Sequence, residues 1–198
     1  METLANSTAQ AIGILGGSFN PPHSGHVLAA HYALLRWPLK KILVVPSHAH
    51  PFGKKLPDFT RRLEMCRLAF QHLGSFVEIS DIEQRLGKVS YTVETVRELR
   101  RLHPTESFNL IVGGDILSDI EKWHEVEQLK TLAPFLVIPR IKEGEILGGD
   151  SAAAALPDVS STSIRTQLKA GATITGGTVP AAVLRFIQKH NLYSDQAD

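Results

Sequence analysis

Residues 15–26 read "LGGSFNPPHSGH". The stretch follows the apolar run "AIGIL" (residues 11–15) and precedes "VLAAHYALL", which has the spacing of a helix. Three glycines, two prolines and two histidines in a dozen residues mark a sharp turn between a buried strand and that helix. Such a turn makes an anion site, because free backbone N–H groups and the positive end of the helix dipole face the same point. Gly16 and Gly17 are expected to adopt conformations closed to other residues and to let the main chain approach a phosphate closely. His23 and His26 are one helical turn apart, so both rings can point to one side and donate to phosphate oxygens, more strongly if protonated. The turn is neither G-x-x-x-x-G-K-[ST] nor G-x-G-x-x-G. No third ligand of the right type stands near the two histidines, so a protein-held metal is not expected.

Outward from the turn, short apolar runs ended by Gly or Pro alternate with helical patterns. Strands are expected at residues 11–15 and 40–46 and around Phe76, Leu110 and Leu136. Helices are expected from Ser24 or His26 to Arg36, and over residues 59–72, 92–103 and 116–129. That alternation predicts an α/β fold, a Rossmann-like parallel sheet with helices on both faces, followed by a small C-terminal helical portion. Such sheets bind ligands beyond the carboxyl ends of their strands, where the strand order reverses. Residues 46–59 form a loop long enough to be functional, and residues 139–158 read as irregular, with "AAAAL" (152–156) as an added strand. In "PDVSSTSIRTQLKAG", Ser160 or Ser161 can cap a helix whose free N–H groups make a second anion site, with Arg165 bringing a planar cationic fork.

Composition narrows the class. The chain has 198 residues, 43% hydrophobic and 21% charged, enough for a sizeable core. One domain is expected over residues 11–194, with flexible termini at 1–10 and 195–198. The net charge of +1 supplies no field for nucleic acid or an anionic membrane. Cys66 is the lone cysteine and sits in an apolar helical pattern, so a buried structural thiol is expected. No secretory signal and no membrane-length apolar run is present, which predicts a cytoplasmic protein.

The turn "GGSFNPPHSGH" resembles the (T/S)F(D/N)PxHxGH signature of the nucleotidyltransferase superfamily. Within it, the chain resembles the bacterial nicotinate (nicotinamide) mononucleotide adenylyltransferases. "SYTVET" (90–95) is similar to that family's SYT segment, and "IVGGDILSDIEKWHEVEQL" (111–129) to its G-x-D segment with a downstream tryptophan. "VSSTSIR" (159–165) is similar to its ISSTxIR signature, and "VPAAVLRFIQKHNLY" (179–193) to its closing segment. The resemblance implies transfer of the adenylyl group of ATP to nicotinate mononucleotide, giving a dinucleotide and pyrophosphate in NAD biosynthesis. It also implies Mg²⁺ held mainly through the ATP phosphates and water.

The same resemblance distributes roles. His23, His26 and Arg165 would be catalytic, through the phosphates of ATP. Gly16, Gly17, Ser18, Phe19, Gly113, Asp115, Ser161 and Thr162 would bind ATP together with Arg165, the Asp115 carboxylate accepting from a ribose. Tyr91, Thr92, Trp123 and Arg140 would meet the mononucleotide, with Trp123 as a stacking surface for the pyridine ring, and Lys54 or Lys55 would reach a substrate phosphate. The "HAHPFGKK" loop and the "PRIKEG" setting of Arg140 depart from the family pattern. The alternatives are adenylyl transfer to nicotinamide mononucleotide or phosphopantetheine on the same fold, or a non-catalytic nucleotide-binding module. A homo-oligomer is compatible with the sequence, and acid-versus-amide preference is not fixed by it.

Overall fold

The computed structural model describes residues 10–48, 56–87, 91–149, 156–174 and 177–194. The expected flexible termini, apart from Gln10, lie outside these residues, as do Lys54 and most of "AAAAL". Five strands form one parallel sheet: β1 (Ala11–Gly17), β2 (Leu39–Pro46), β3 (Val77–Ile79), β4 (Phe108–Gly113) and β5 (Phe135–Ile138), in the order β3-β2-β1-β4-β5.

Apolar residues alternate between the two faces of this sheet, as a strand covered on both sides requires. Leu15, Leu39, Ile42, Val44 and Ile111 face one core. There they meet Ala30 and Ala33 of α1 (Ser24–Arg36) and Met65, Cys66, Ala69 and Phe70 of α2 (Phe59–Phe70). Ile164 of α6 (Ser161–Lys169) and Val183 and Ile187 of α7 (Ala181–Lys189) join the same core. Ile12, Ile14, Leu43, Val45, Leu110 and Val112 face the other. They pack on Ile82 of α3 (Ile82–Leu86), Val93, Val96 and Leu99 of α4 (Thr92–Leu102), and Val126 and Leu129 of α5 (Val126–Leu132). Cys66 is buried as expected, and burial pushes its thiol pKa up. No described helix is long and apolar enough to cross a membrane.

The helix expected over residues 116–129 is a correction. The structure has 3-10 turns at Gly114–Ile116 and Ile120–Lys122, and a helix only from Val126. Ile116, Ile120, Trp123 and Val126 keep helical spacing, but Trp123 is extended and Glu125 is left-handed (φ 51°), which breaks the helix between them. The region read as irregular contains an antiparallel hairpin, β6 (Arg140–Lys142) and β7 (Glu145–Leu147). Glu143 and Gly144 both have positive φ (52° and 86°), the signature of the two-residue turn that matches strand twist. Leu156 makes a parallel bridge to Arg140. α2 stops at Phe70, and residues 71–76 continue as a 3-10 segment across Gly74 (φ 54°).

Sheet order places the site. β1 has β2 on one side and β4 on the other, and the crossovers leave in opposite directions. A crevice therefore opens at the carboxyl ends of β1 and β4.

Candidate active site

β1 ends at Gly17 and α1 begins at Ser24, with His23 as its N-cap. The sharp turn is not made by the glycines. Gly16 and Gly17 remain in the strand without positive φ, whereas Phe19 is left-handed (φ 46°) and the Asn20–Pro21 peptide is cis. What Gly16 provides is room, since a Cβ there would meet nothing within 4 Å. Phe19 holds the turn from below. Its ring is fully buried and packs edge-on against Phe70 and beside His26 (centroids 6.3 and 4.8 Å).

The two histidines are brought together. Their ring centroids are 3.7 Å apart, and the His23 backbone N–H donates to His26 Nδ1 at 3.1 Å. Because that nitrogen accepts, the proton of a neutral His26 sits on Nε2. Gly25 lets the His23 ring lie close to the helix, for a Cβ there would stand 3.1 Å from it. Burial, then the Arg140 charge, lowers the His23 pKa to about 4. Burial, then His23 and Arg140, holds His26 well below its ordinary value. Both are neutral donors at pH 7, not the protonated ones the sequence allowed for. His23 Nδ1 is buried without a partner.

α6 closes the other side. Its expected cap is corrected: Ser160 occupies the N-cap position but its side chain makes no capping bond. The Ser161 hydroxyl instead donates to the Pro21 carbonyl at 2.9 Å. Arg165 Nη1 donates to the Asn20 carbonyl at 2.8 Å and Nη2 to Thr162 Oγ1 at 3.1 Å. The "SSTSIR" helix is thus docked on the phosphate-type turn, with its first-turn N–H groups not claimed by a serine cap.

β4 supplies the far wall. Arg140 Nη1 meets Asp115 Oδ2 at 3.2 Å, and Nη2 reaches the Val159 carbonyl at 3.4 Å. Asp115 Oδ1 is buried with no partner. Gly113 is needed here, because a Cβ would fall 2.3 Å from that oxygen. Gly114 is needed too: its Cβ would stand 2.1 Å from the Leu147 carbonyl of β7, a close approach that sequence reading missed. His23, Asp115, Arg140, Ile141 and residues 158–161 line one cavity of about 310 Å³, within the range of small-molecule sites.

Tyr91, Thr92 and Trp123 do not line this cavity. Tyr91 is the N-cap residue of α4, and its ring lies 4.4 Å from that of His124. That contact joins the SYT segment to the loop carrying Trp123, which is partly buried against the α4–α5 core. His124 escaped sequence reading. So did Arg62, a fully buried arginine on α2 whose burial pulls its pKa below the ordinary arginine value. Helical spacing does place it, unlike the exposed Arg61 beside it, on the face of Phe59, Leu63, Cys66 and Phe70. Outside the site, His31 and His72 hydrogen-bond each other through Nε2 (3.1 Å).

The sequence profile of the cytidylyltransferase-like family matches residues 14–167. A probable nicotinate-nucleotide adenylyltransferase from Anaeromyxobacter dehalogenans is 40% identical over 190 residues, covering 94% of this chain and 98% of the relative. One from Thermotoga maritima is 34% identical, covering 88% and 90%. Among solved structures, the Plasmodium falciparum nicotinic acid mononucleotide adenylyltransferase complexed with NaAD superposes with a TM-score of 0.76. It is 23% identical, and the match covers 93% of this chain and 97% of that one, a likeness of fold.

Proposed function

The chain belongs to the cytidylyltransferase-like family, in the company of the nicotinate-nucleotide adenylyltransferases, and on that premise we propose that it transfers the adenylyl group of ATP to nicotinate mononucleotide. The observation that carries the reading is the single cavity in which His23, the Asp115–Arg140 pair and the start of α6 converge at the β1–β4 crevice.

The mononucleotide phosphate oxygen attacks the α-phosphorus of ATP, the bond to the β-phosphate breaks, and pyrophosphate leaves. The nucleophile is already ionised at neutral pH, so no protein base or covalent intermediate is required. Catalysis then rests on positioning and on charge stabilisation. His26 Nε2–H and His23 donate to phosphate oxygens as neutral groups. Backbone groups of Gly16, Gly17, Ser18 and Phe19 line the triphosphate path. Ser161, Thr162 and Arg165 receive its far end. The unpartnered Asp115 Oδ1 accepts from a ribose hydroxyl, with Arg140 fixing its other oxygen. Tyr91, Thr92 and Trp123 hold the pyridine nucleotide, and Lys54 reaches its phosphate or that of ATP.

Among the described residues no three His, Cys, Asp or Glu side chains converge as a metal cage. With Asp115 given to a ribose and to Arg140, Mg²⁺ would be brought by ATP and held by its phosphates and waters. Such an ion would neutralise charge building on the leaving pyrophosphate. The test is product analysis: ATP and nicotinate mononucleotide should yield nicotinate adenine dinucleotide and pyrophosphate in equal amounts. Nucleotide binding without product would leave a non-catalytic module.

A further inference from the structure

α2 carries one residue that an ordinary helix would not bury. Arg62 has no exposed surface, and its donors run to main-chain carbonyls from separate segments. Nη1 donates to Ser18 (2.9 Å) and Ser47 (2.7 Å), Nη2 to His48 (3.3 Å) and Nε to Pro57 (3.0 Å). The guanidinium carbon also stands 5.4 Å from the centre of the Phe59 ring. Ser18 belongs to the turn after β1, Ser47 and His48 follow β2, and Pro57 precedes α2. Burying a cation is costly unless its donors are used, and only a planar fork with five donors can serve four carbonyls in different directions.

We infer that Arg62 is a positioning residue, which fixes the turn after β1 from inside the core so that the Phe19 N–H is aimed at the bound triphosphate. This rests on the adenylyl-transfer reading. A peptide unit is planar, and in its trans form the carbonyl and the following N–H point in opposite directions. The Ser18–Phe19 peptide is not among the cis bonds. Drawing the Ser18 carbonyl toward α2 therefore turns the Phe19 N–H away from the core. The buried Phe19 ring, held between Phe70 and His26, anchors the same peptide from its other side. The left-handed φ of Phe19 then carries the chain toward His23. Arg62 touches no substrate; it acts through the backbone it holds.

Lysine at this position keeps the charge but offers its donors from a single point, so it cannot span the four carbonyls. Arg62→Lys and Arg62→Gln are compared with wild type and with Leu99→Ala, a cavity in the opposite core away from the site. Each variant is scored by its melting temperature and by separate ATP and mononucleotide kinetics. A misplaced donor can cost about 100-fold in rate. Arg62→Lys is expected to lose about that much in kcat/KM for ATP, with the mononucleotide KM little changed. Arg62→Gln should lose more, and Leu99→Ala should melt lower yet keep wild-type ATP parameters. An Arg62→Lys enzyme that matches Leu99→Ala in ATP kinetics, or weakens both substrates equally, overturns the proposal. A wild-type protein that transfers no adenylyl group overturns the functional reading instead. The positioning role is then judged by calorimetric ATP affinity, where equal affinity in wild type and Arg62→Lys refutes it. If no Arg62 variant folds, the Phe19 amide resonance of the wild type decides: it must shift when ATP is added, and an unmoved resonance overturns the proposal.

Discussion

The His23 and His26 rings lie 3.7 Å apart at 32°, and the backbone of one donates to the ring of the other. Two imidazoles so close, beside the Arg140 guanidinium and out of water, resist a proton. The folded chain therefore binds fewer protons here than the unfolded chain between pH 6.5 and about 4. Stability contributed by the neutral rings is complete above pH 6.5 and is lost as pH falls through that window. For His23 alone, lowering from 6.5 to about 4 corresponds to about 3 kcal/mol. The melting temperature of the ligand-free protein should fall steeply from pH 6.5 to 4, and less steeply in His23→Gln. Parallel pH profiles would contradict the assignment.

His26→Ala removes the Nε2–H donor that the His23 contact fixes in place. Losing one preorganised donor to a charge-building oxygen costs about 10²–10³ in rate. Turnover should drop by that much while mononucleotide binding, measured by equilibrium titration, changes little. Wild-type turnover would remove His26 from the chemistry.

Arg165 spans two elements, from Thr162 at the start of α6 to the Asn20 carbonyl in the turn. A lysine can reach one of these acceptors but cannot present a planar fork to phosphate as well. Arg165→Lys should raise the KM for ATP, lower kcat, or both, and Arg165→Ala should do so more strongly. Unchanged ATP kinetics in Arg165→Ala would reduce "VSSTSIR" to a docking helix.

Trp123 stands beside His124, whose ring meets Tyr91, apart from the cavity that His23 lines. Trp123→Ala should weaken the mononucleotide and leave ATP affinity nearly intact. Separate KM measurements for the two substrates check this, and an unchanged mononucleotide KM would end the stacking role.

Much of this was legible in sequence because period-two and helical patterns report burial directly. Ile12, Ile14 and Leu15 in β1, or Val93, Val96 and Leu99 in α4, could face only a core. The turn "GGSFNPPHSGH" pointed to the candidate site, and "SSTSIR" to the helix that docks on that turn. What stayed hidden depended on backbone angles and on tertiary partners. Phe19, not a glycine, takes the left-handed conformation, and Glu125 does the same where a helix was expected. Ser161 was readable as a cap, but its hydroxyl is spent on Pro21 from a distant segment. The Glu143–Gly144 turn did carry a hairpin signal, flanked by Ile141 and Ile146. Arg62 sits at helical spacing on the apolar face of α2, but only the fold shows the carbonyls that let that cation be buried there.

The central claim is adenylyl transfer to the acid form of the pyridine mononucleotide, and kcat/KM measured side by side with nicotinate and nicotinamide mononucleotides, at saturating ATP and Mg²⁺, tests it most directly. The backbone N–H of Thr92, in the first turn of α4, would favour a carboxylate over an amide whose NH₂ faces it, that of Tyr91 being already given to Glu94. Leaving such a donor mismatched costs roughly 1–3 kcal/mol, so a preference of about tenfold or more for the acid is expected. Equal values for the two would contradict the specificity, and no dinucleotide from either would contradict the account itself.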